Sequence, residues 1–197
     1  MIGFVRHGQT ELNRGGRLQG HLDAPLSDLG VRQAIALASG LASEPVTRVL
    51  SSPLQRARRT AAAIASVHDL DVEVDERLIE LDYGTWDGLA LTDVPAADWK
   101  AWRNDPGFAP PGGECLSAVT DRVAAFCGDV LGGDLVIAVS HVSPIKAAVC
   151  RALCVDERIT WRMQLGVASV TRIGRRDDGS SYLSVFNDTS LVQSLDG

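Results

Sequence analysis

The chain has 197 residues, 45% of them hydrophobic and 22% charged, a balance suited to one compact domain. Its net charge of −6 and pI near 5.1 argue against a nucleic-acid binder that relies on a broad basic surface. No apolar run of about 18 residues occurs and the N-terminus opens directly on a strand pattern, so neither a membrane span nor a secretory leader is expected, and the expected location is cytoplasmic.

Residues 2–7, IGFVRH, read as a short buried strand. Residues 26–42 carry a Ser27 or Asp28 cap followed by apolar residues at helical spacing, which predicts a helix. TRVLSS (47–52) is a second strand, and the Ala-rich stretch 53–68 is a helix with Pro53 at a first-turn position. DVEVDE (71–76) alternates as a third strand. Residues 80–113 hold three tryptophans among several Gly and Pro, with one short helix around 94–104, and read as a lid over a site. A helix over 114–132 leads to DLVIAVSH (134–141), the most continuous apolar run and so the expected central strand. A helix over 143–155 follows, then two strands near 168–174 and 181–186 around the turn RRDDGS.

This alternation predicts a three-layer α/β/α fold with a mostly parallel sheet, one domain over 1–197, and residues 80–113 as a small helical and loop lid. Cys115, Cys127, Cys150 and Cys154 form no CxxC and lack nearby His partners, so ordinary, mostly buried thiols and no metal are expected.

In such sheets ligands collect beyond the carboxyl ends of the strands. The residues leaving those ends are Arg6 and His7, then Ser51 and Ser52 with Arg56 one helical turn on, then Glu80, then His141. Two histidines and two arginines at one sheet edge make a positive pocket in an acidic protein. Arginine suits phosphate through its planar fork of donors. A neutral histidine is a nucleophile, and flanking arginines keep it neutral. A departing alkoxide needs a proton, which Glu80 is placed to give. A phosphoryl site is therefore expected, with Asn13 and Gln19 as neutral donors; a carboxylate or sulfate site is the weaker alternative.

Other polar residues have plainer readings. His21 is expected as a loop residue and His68 as a solvated helix end. Arg58 and Arg59 read as a solvated helix face and Glu11 as a surface carboxylate. Glu114 is either a helix-start carboxylate or a residue at the substrate mouth, and Trp99 and Trp102 are core residues or lid contacts to substrate.

The blocks VRHGQTELN, LQGHLDAPLSDLG, SSPLQRARRTA, LIELDYGTWDGL, PPGGE and VSHVSPIKA, from residue 2 to about 150, resemble in order the motifs of the histidine phosphatase superfamily, phosphoglycerate-mutase-like branch. The resemblance implies a metal-independent phosphomonoester hydrolase without a cofactor, acting on a small phosphorylated metabolite. His7 would become phosphohistidine; Arg6, Arg56 and His141 would hold the phosphoryl oxygens; Glu80 would be the general acid and then the base. Asn13, Gln19 and the Gly20 backbone would line the phosphate or the adjacent substrate region. The family commonly has glycine where this chain has Val142; Val142 would still supply its backbone N–H to substrate or phosphate, but its side chain narrows the mouth or needs its own pocket. Two other readings stay open: a cofactor-dependent phosphoglycerate mutase, which usually carries a longer insertion after the general acid, and a non-catalytic phospholigand-binding regulator. The resemblance also allows a homodimer. It leaves the substrate open among phosphoglycerate derivatives, α-ribazole phosphate and sugar phosphates.

Overall fold

The structure, a computed structural model, describes residues 1–195. Six strands form one sheet in the order β3-β2-β4-β1-β5-β6. They are β1 (Ile2–Arg6), β2 (Val46–Ser51), β3 (Val72–Val74), β4 (Leu135–Ser140), β5 (Val170–Arg175) and β6 (Ser181–Asp188). β3, β2, β4 and β1 run parallel, while β5 and β6 join antiparallel at the β1 side.

Period-2 alternation along the central strands builds two cores. Val5, Val49, Ile137 and Val139 face α2 (Asp28–Leu41) and α3 (Gln55–His68), where they meet Leu37, Leu41, Ala61 and Ile64. Phe4, Leu50, Val136 and Ala138 belong to the opposite core, with Val123 and Phe126 of α5 (Leu116–Val130) and Ile145 and Val149 of α6 (Val142–Leu153). Each fully buried aliphatic side chain contributes about 1.5–3 kcal/mol. The mostly parallel three-layer α/β/α arrangement read from the sequence is the one observed.

Local chemistry sets the boundaries. Ser27 caps α2, its Oγ accepting from the Gly30 N–H at 3.1 Å. α3 starts later than expected: Pro53 lies outside it, because Asp23 reaches across from a distant loop and accepts from the Gln55 N–H at 2.7 Å. β3 is cut to three residues by Asp75, whose carboxylate accepts from the Arg77 N–H and opens a 3-10 turn. Short elements without a long periodic pattern lie outside the sequence reading, and two of them bear on the site. One is α1 (Glu11–Arg14), closed by a capping box between Thr10 and Asn13; the other is a 3-10 turn over Glu157–Arg162.

Residues 80–113 hold two 3-10 turns and α4 (Ala96–Asn104), close to the short helix expected. They are anchored by aromatic packing. Trp102 stands edge-on to Trp99 at 5.4 Å and to Trp161 at 4.8 Å, and Trp86 stacks on Phe108 at 6.0 Å. Cys127 and Cys150 are buried, but Cys115 is half-buried and Cys154 exposed, so the expectation of mostly buried thiols holds for two of four. Among the described residues no helix is long and apolar enough to cross a membrane.

Candidate active site

β1 lies between β4 and β5, and the chain leaving it stays pinned on both sides. The His7 N–H donates to Ser140 O at 3.1 Å, and the His7 carbonyl accepts from the Ala168 N–H at 3.0 Å. Gly8 follows because nothing larger fits: a Cβ there would sit 2.5 Å from the Gly30 carbonyl. Its N–H donates to Thr60 Oγ1 on α3, and the close approach that Gly8 permits is to Gly30 of α2.

The buried His7 imidazole contacts the Gly8 carbonyl through Nδ1 at 2.7 Å. A carbonyl only accepts, so Nδ1 carries the proton and Nε2 keeps a free lone pair. Burial, then the charges of Arg56 and Arg6, push the His7 pKa well below 6.5. Beside it, Arg6 donates through Nη1 to Leu165 O at 2.6 Å, while its buried Nε has no partner among the described residues. Burial draws the Arg6 guanidinium down to about 10, partly opposed by Glu80 and Tyr83.

Glu80 is 3% exposed and clasps the start of α6. Its carboxylate accepts from the N–H groups of Leu81 (2.9 Å), Val142 (3.0 Å) and Ser143 (3.0 Å). The N-terminus of α6, which favours an anion, is thus occupied by a side chain. Val142 lines the site, but its N–H belongs to Glu80, which corrects the expectation that this donor serves the substrate.

Arg6, His7, Asn13, Gln19, Glu80 and Val142 all line one cavity of about 320 Å³. Gln19 is 7% exposed; its Oε1 accepts from the Thr10 hydroxyl at 2.6 Å and its Nε2 has no partner among the described residues.

Gly20 does not line the cavity. Its N–H donates to Asp87 Oδ1 and its carbonyl accepts from Arg56 Nη2, both at 2.7 Å, so the expected substrate contact from this backbone is corrected. Arg56 and His141, both 0% exposed, stand behind the wall. Arg56 makes hydrogen bonds to the carbonyls of Leu22, Gln19 and Gly20 and to His141 Nδ1, occupying four of its five donors. His141 Nε2 is 2.7 Å from Ser52 Oγ. One Arg56 donor is left over, while both His141 nitrogens are engaged; neither residue is among those that line the cavity, where a direct hold on phosphoryl oxygens was expected. Arg56 still acts on His7 through its charge.

Several plainer readings match their surroundings. Glu11 and Arg14 pair at the surface, Arg58 and Arg59 are exposed, and His21 meets the Glu80 carbonyl at 3.1 Å. Glu114 takes neither expected role: it precedes α5 and pairs with Arg122 at 3.0 Å. Lys146, Arg17, Tyr83, Ser143, Thr160 and Trp161 line the cavity without having been singled out. Lys146 had a usable signal, since it falls one helical turn after Val142 on α6.

A buried imidazole with a free Nε2, an arginine nitrogen unpaired among the described residues and a buried carboxylate at the carboxyl edge of a mostly parallel sheet suit phosphoryl-transfer chemistry. Residues 2–189 match the histidine phosphatase superfamily (branch 1), and the chain belongs to that superfamily. It is 37% identical over 177 residues to phosphoserine phosphatase 1 of Hydrogenobacter thermophilus, covering 86% of this chain and 84% of that protein. It is also 37% identical over 196 residues to a bifunctional protein of Mycobacterium tuberculosis, covering 96% of this chain but 54% of the relative; the chain spans about half the length of the first curated relatives it matches. Among solved structures, Entamoeba histolytica phosphoserine phosphatase in complex with 3-phosphoglyceric acid superposes with a TM-score of 0.90 at 27% identity, covering 97% of this chain and 98% of that one. A mycobacterial glucosyl-3-phosphoglycerate phosphatase superposes with a TM-score of 0.85 at 33% identity, covering 95% and 99%.

Proposed function

We propose that this chain is a phosphomonoester hydrolase that needs no metal and works through phosphohistidine at His7 on a small phosphorylated metabolite. One observation carries the reading: the Gly8 carbonyl fixes the Nδ1–H tautomer of a buried His7, leaving Nε2 as the nucleophile on a donor-lined cavity. The phosphatase relatives named above support the same class.

In the first step His7 Nε2 attacks phosphorus, the P–O ester bond breaks, and the departing oxygen takes a proton from Glu80. Oε2 accepts one backbone N–H and Oε1 two, so Oε2 is the freer seat for that proton. In the second step Glu80 takes a proton from water, the water oxygen attacks phosphorus, and the N–P bond breaks to release inorganic phosphate. Arg6 and Gln19 hold the phosphoryl oxygens by direct donation, and Asn13 lines the entry. Arg56 and His141 act from behind the wall, Arg56 by its charge and His141 by fixing the Arg56 fork. Residues 80–113 serve as the lid of a single domain.

Turnover of p-nitrophenyl phosphate by the wild type and by His7→Ala tests the reading: equal rates in both end it. An acid-quenched, acid-labile phosphoenzyme formed by the wild type alone supports it. Fast hydrolysis of that phosphoenzyme without a bisphosphate primer separates a hydrolase from a mutase.

A further inference from the structure

Two donors on residues that line the cavity, apart from its phosphoryl-binding groups, meet nothing among the described residues. Lys146 lies on α6 at helical spacing from Val142, and both line the cavity. Among the described residues its ammonium makes no ion pair and no hydrogen bond, although Arg and Asp or Glu side chains pair freely elsewhere on the chain. Trp102 lines the same cavity, is 5% exposed, and has an indole N–H without a partner. A buried indole N–H ordinarily finds an acceptor.

The number and charge of these donors narrow the ligand. One ammonium and one indole N–H match the two oxygens and single charge of a carboxylate. A second phosphoryl group brings three oxygens and up to two charges, more than they satisfy. A neutral hydroxyl leaves the half-buried ammonium uncompensated. Burial already pulls the Lys146 ammonium below its ordinary range, and an anion beside it reverses that pull.

We propose that Lys146 and Trp102 form a carboxylate subsite, so that the preferred substrate is a small phosphomonoester whose alcohol carries a carboxylate. This rests on the phosphatase reading above. It excludes from preferred status those sugar and nucleoside-like phosphates that lack an acid group.

Two matched substrate pairs test it. O-phosphoserine differs from O-phosphoethanolamine only by its carboxylate, and 3-phosphoglycerate carries a carboxylate where glycerol 3-phosphate carries a hydroxymethyl group. The wild type is expected to favour the acid in each pair by about tenfold or more in kcat/KM, the scale of one charge-assisted contact. Lys146→Gln should reduce that ratio at least about tenfold, chiefly through KM, with Lys146→Arg restoring part of it and Trp102→Phe giving a smaller loss. Ratios near one in the wild type overturn the subsite whether or not any variant folds, and so does an unchanged ratio in Lys146→Gln. No turnover of p-nitrophenyl phosphate by the wild type instead removes the phosphatase reading and this inference with it.

Discussion

The rings of His7 and His141 stand 5.0 Å apart, centroid to centroid, and hold opposite tautomers. His7 donates through Nδ1 to the Gly8 carbonyl, whereas His141 Nδ1 accepts from Arg56 and its Nε2 donates to Ser52. The neighbours of each ring, not its residue type, decide which nitrogen can attack.

Neutrality of this pair has a pH signature. Burial first, then nearby arginines, hold both pKa values well below the ordinary 6.5. The unfolded chain therefore takes up these protons first as pH falls. Their contribution to stability is fully present above about pH 6.5 and declines as pH drops from there toward the folded values, with a slope of at most about 3 kcal/mol per pH unit for the pair. Imidazole NMR titration should find both rings neutral at pH 6.5, and urea midpoints should fall on the acid side with a shallower slope in His7→Asn. A ring titrating at or above 6.5 contradicts the assignment.

Glu80→Gln should damage alkyl phosphates more than aryl phosphates, because aryl leaving groups depend less on a proton. It should also loosen the fold. The amide replaces one oxygen with a donor where three N–H groups point in, leaving at least one unpaired at about 1–3 kcal/mol. Leaving-group dependence of kcat and thermal denaturation check the two effects separately, and equal kinetic losses on both ester types remove Glu80 from the acid role.

Arg122 holds the other side of Glu80. It donates to the carbonyls of Glu80 (3.2 Å) and Arg77 (2.7 Å) while pairing with Glu114. Arg122→Met should lower kcat for alkyl esters more than it raises KM and shift the pH profile, with Arg122→Lys recovering part of the loss. A fall in stability with an unmoved pH profile would assign Arg122 a purely structural part.

Gly8 and Gly30 admit no side chain. A Cβ on Gly8 would lie 2.5 Å from the Gly30 carbonyl, and one on Gly30 would lie 2.0 Å from the Gln9 carbonyl. Both obstacles are backbone and cannot swing away. Gly8→Ala and Gly30→Ala should each cost about 1–3 kcal/mol or more, read as a drop in the urea midpoint. Wild-type midpoints would show that the strand end and helix start are free to separate.

Most of this architecture was legible because it is periodic. Val5, Val49, Ile137 and Val139 alternate with Phe4, Leu50, Val136 and Ala138, and no other assignment buries both sets. Arg6, His7, Glu80 and His141 were legible because they follow strand ends. What the sequence could not carry was which donors are already engaged. The Gly20 N–H belongs to Asp87 and the Val142 N–H to Glu80, pairings made across 67 and 62 residues. Trp161 and Lys146 escaped notice for a related reason: each becomes part of the cavity only when α6 and the turn after it fold against residues 80–113.

The nitrogens of Arg6, Gln19 and Trp102 that have no partner among the described residues share one property: all are donors, and all belong to cavity-lining residues. Such a wall selects for oxygen-rich anions before it selects for any leaving group. Inorganic phosphate, the product of the proposed reaction, meets the Arg6 and Gln19 nitrogens that hold the substrate's phosphoryl group and must compete for them. Because an anion that binds only the folded chain stabilises it, the melting temperature should rise with phosphate concentration. The protein would thus report, through its own resistance to heat, how much of its product surrounds it.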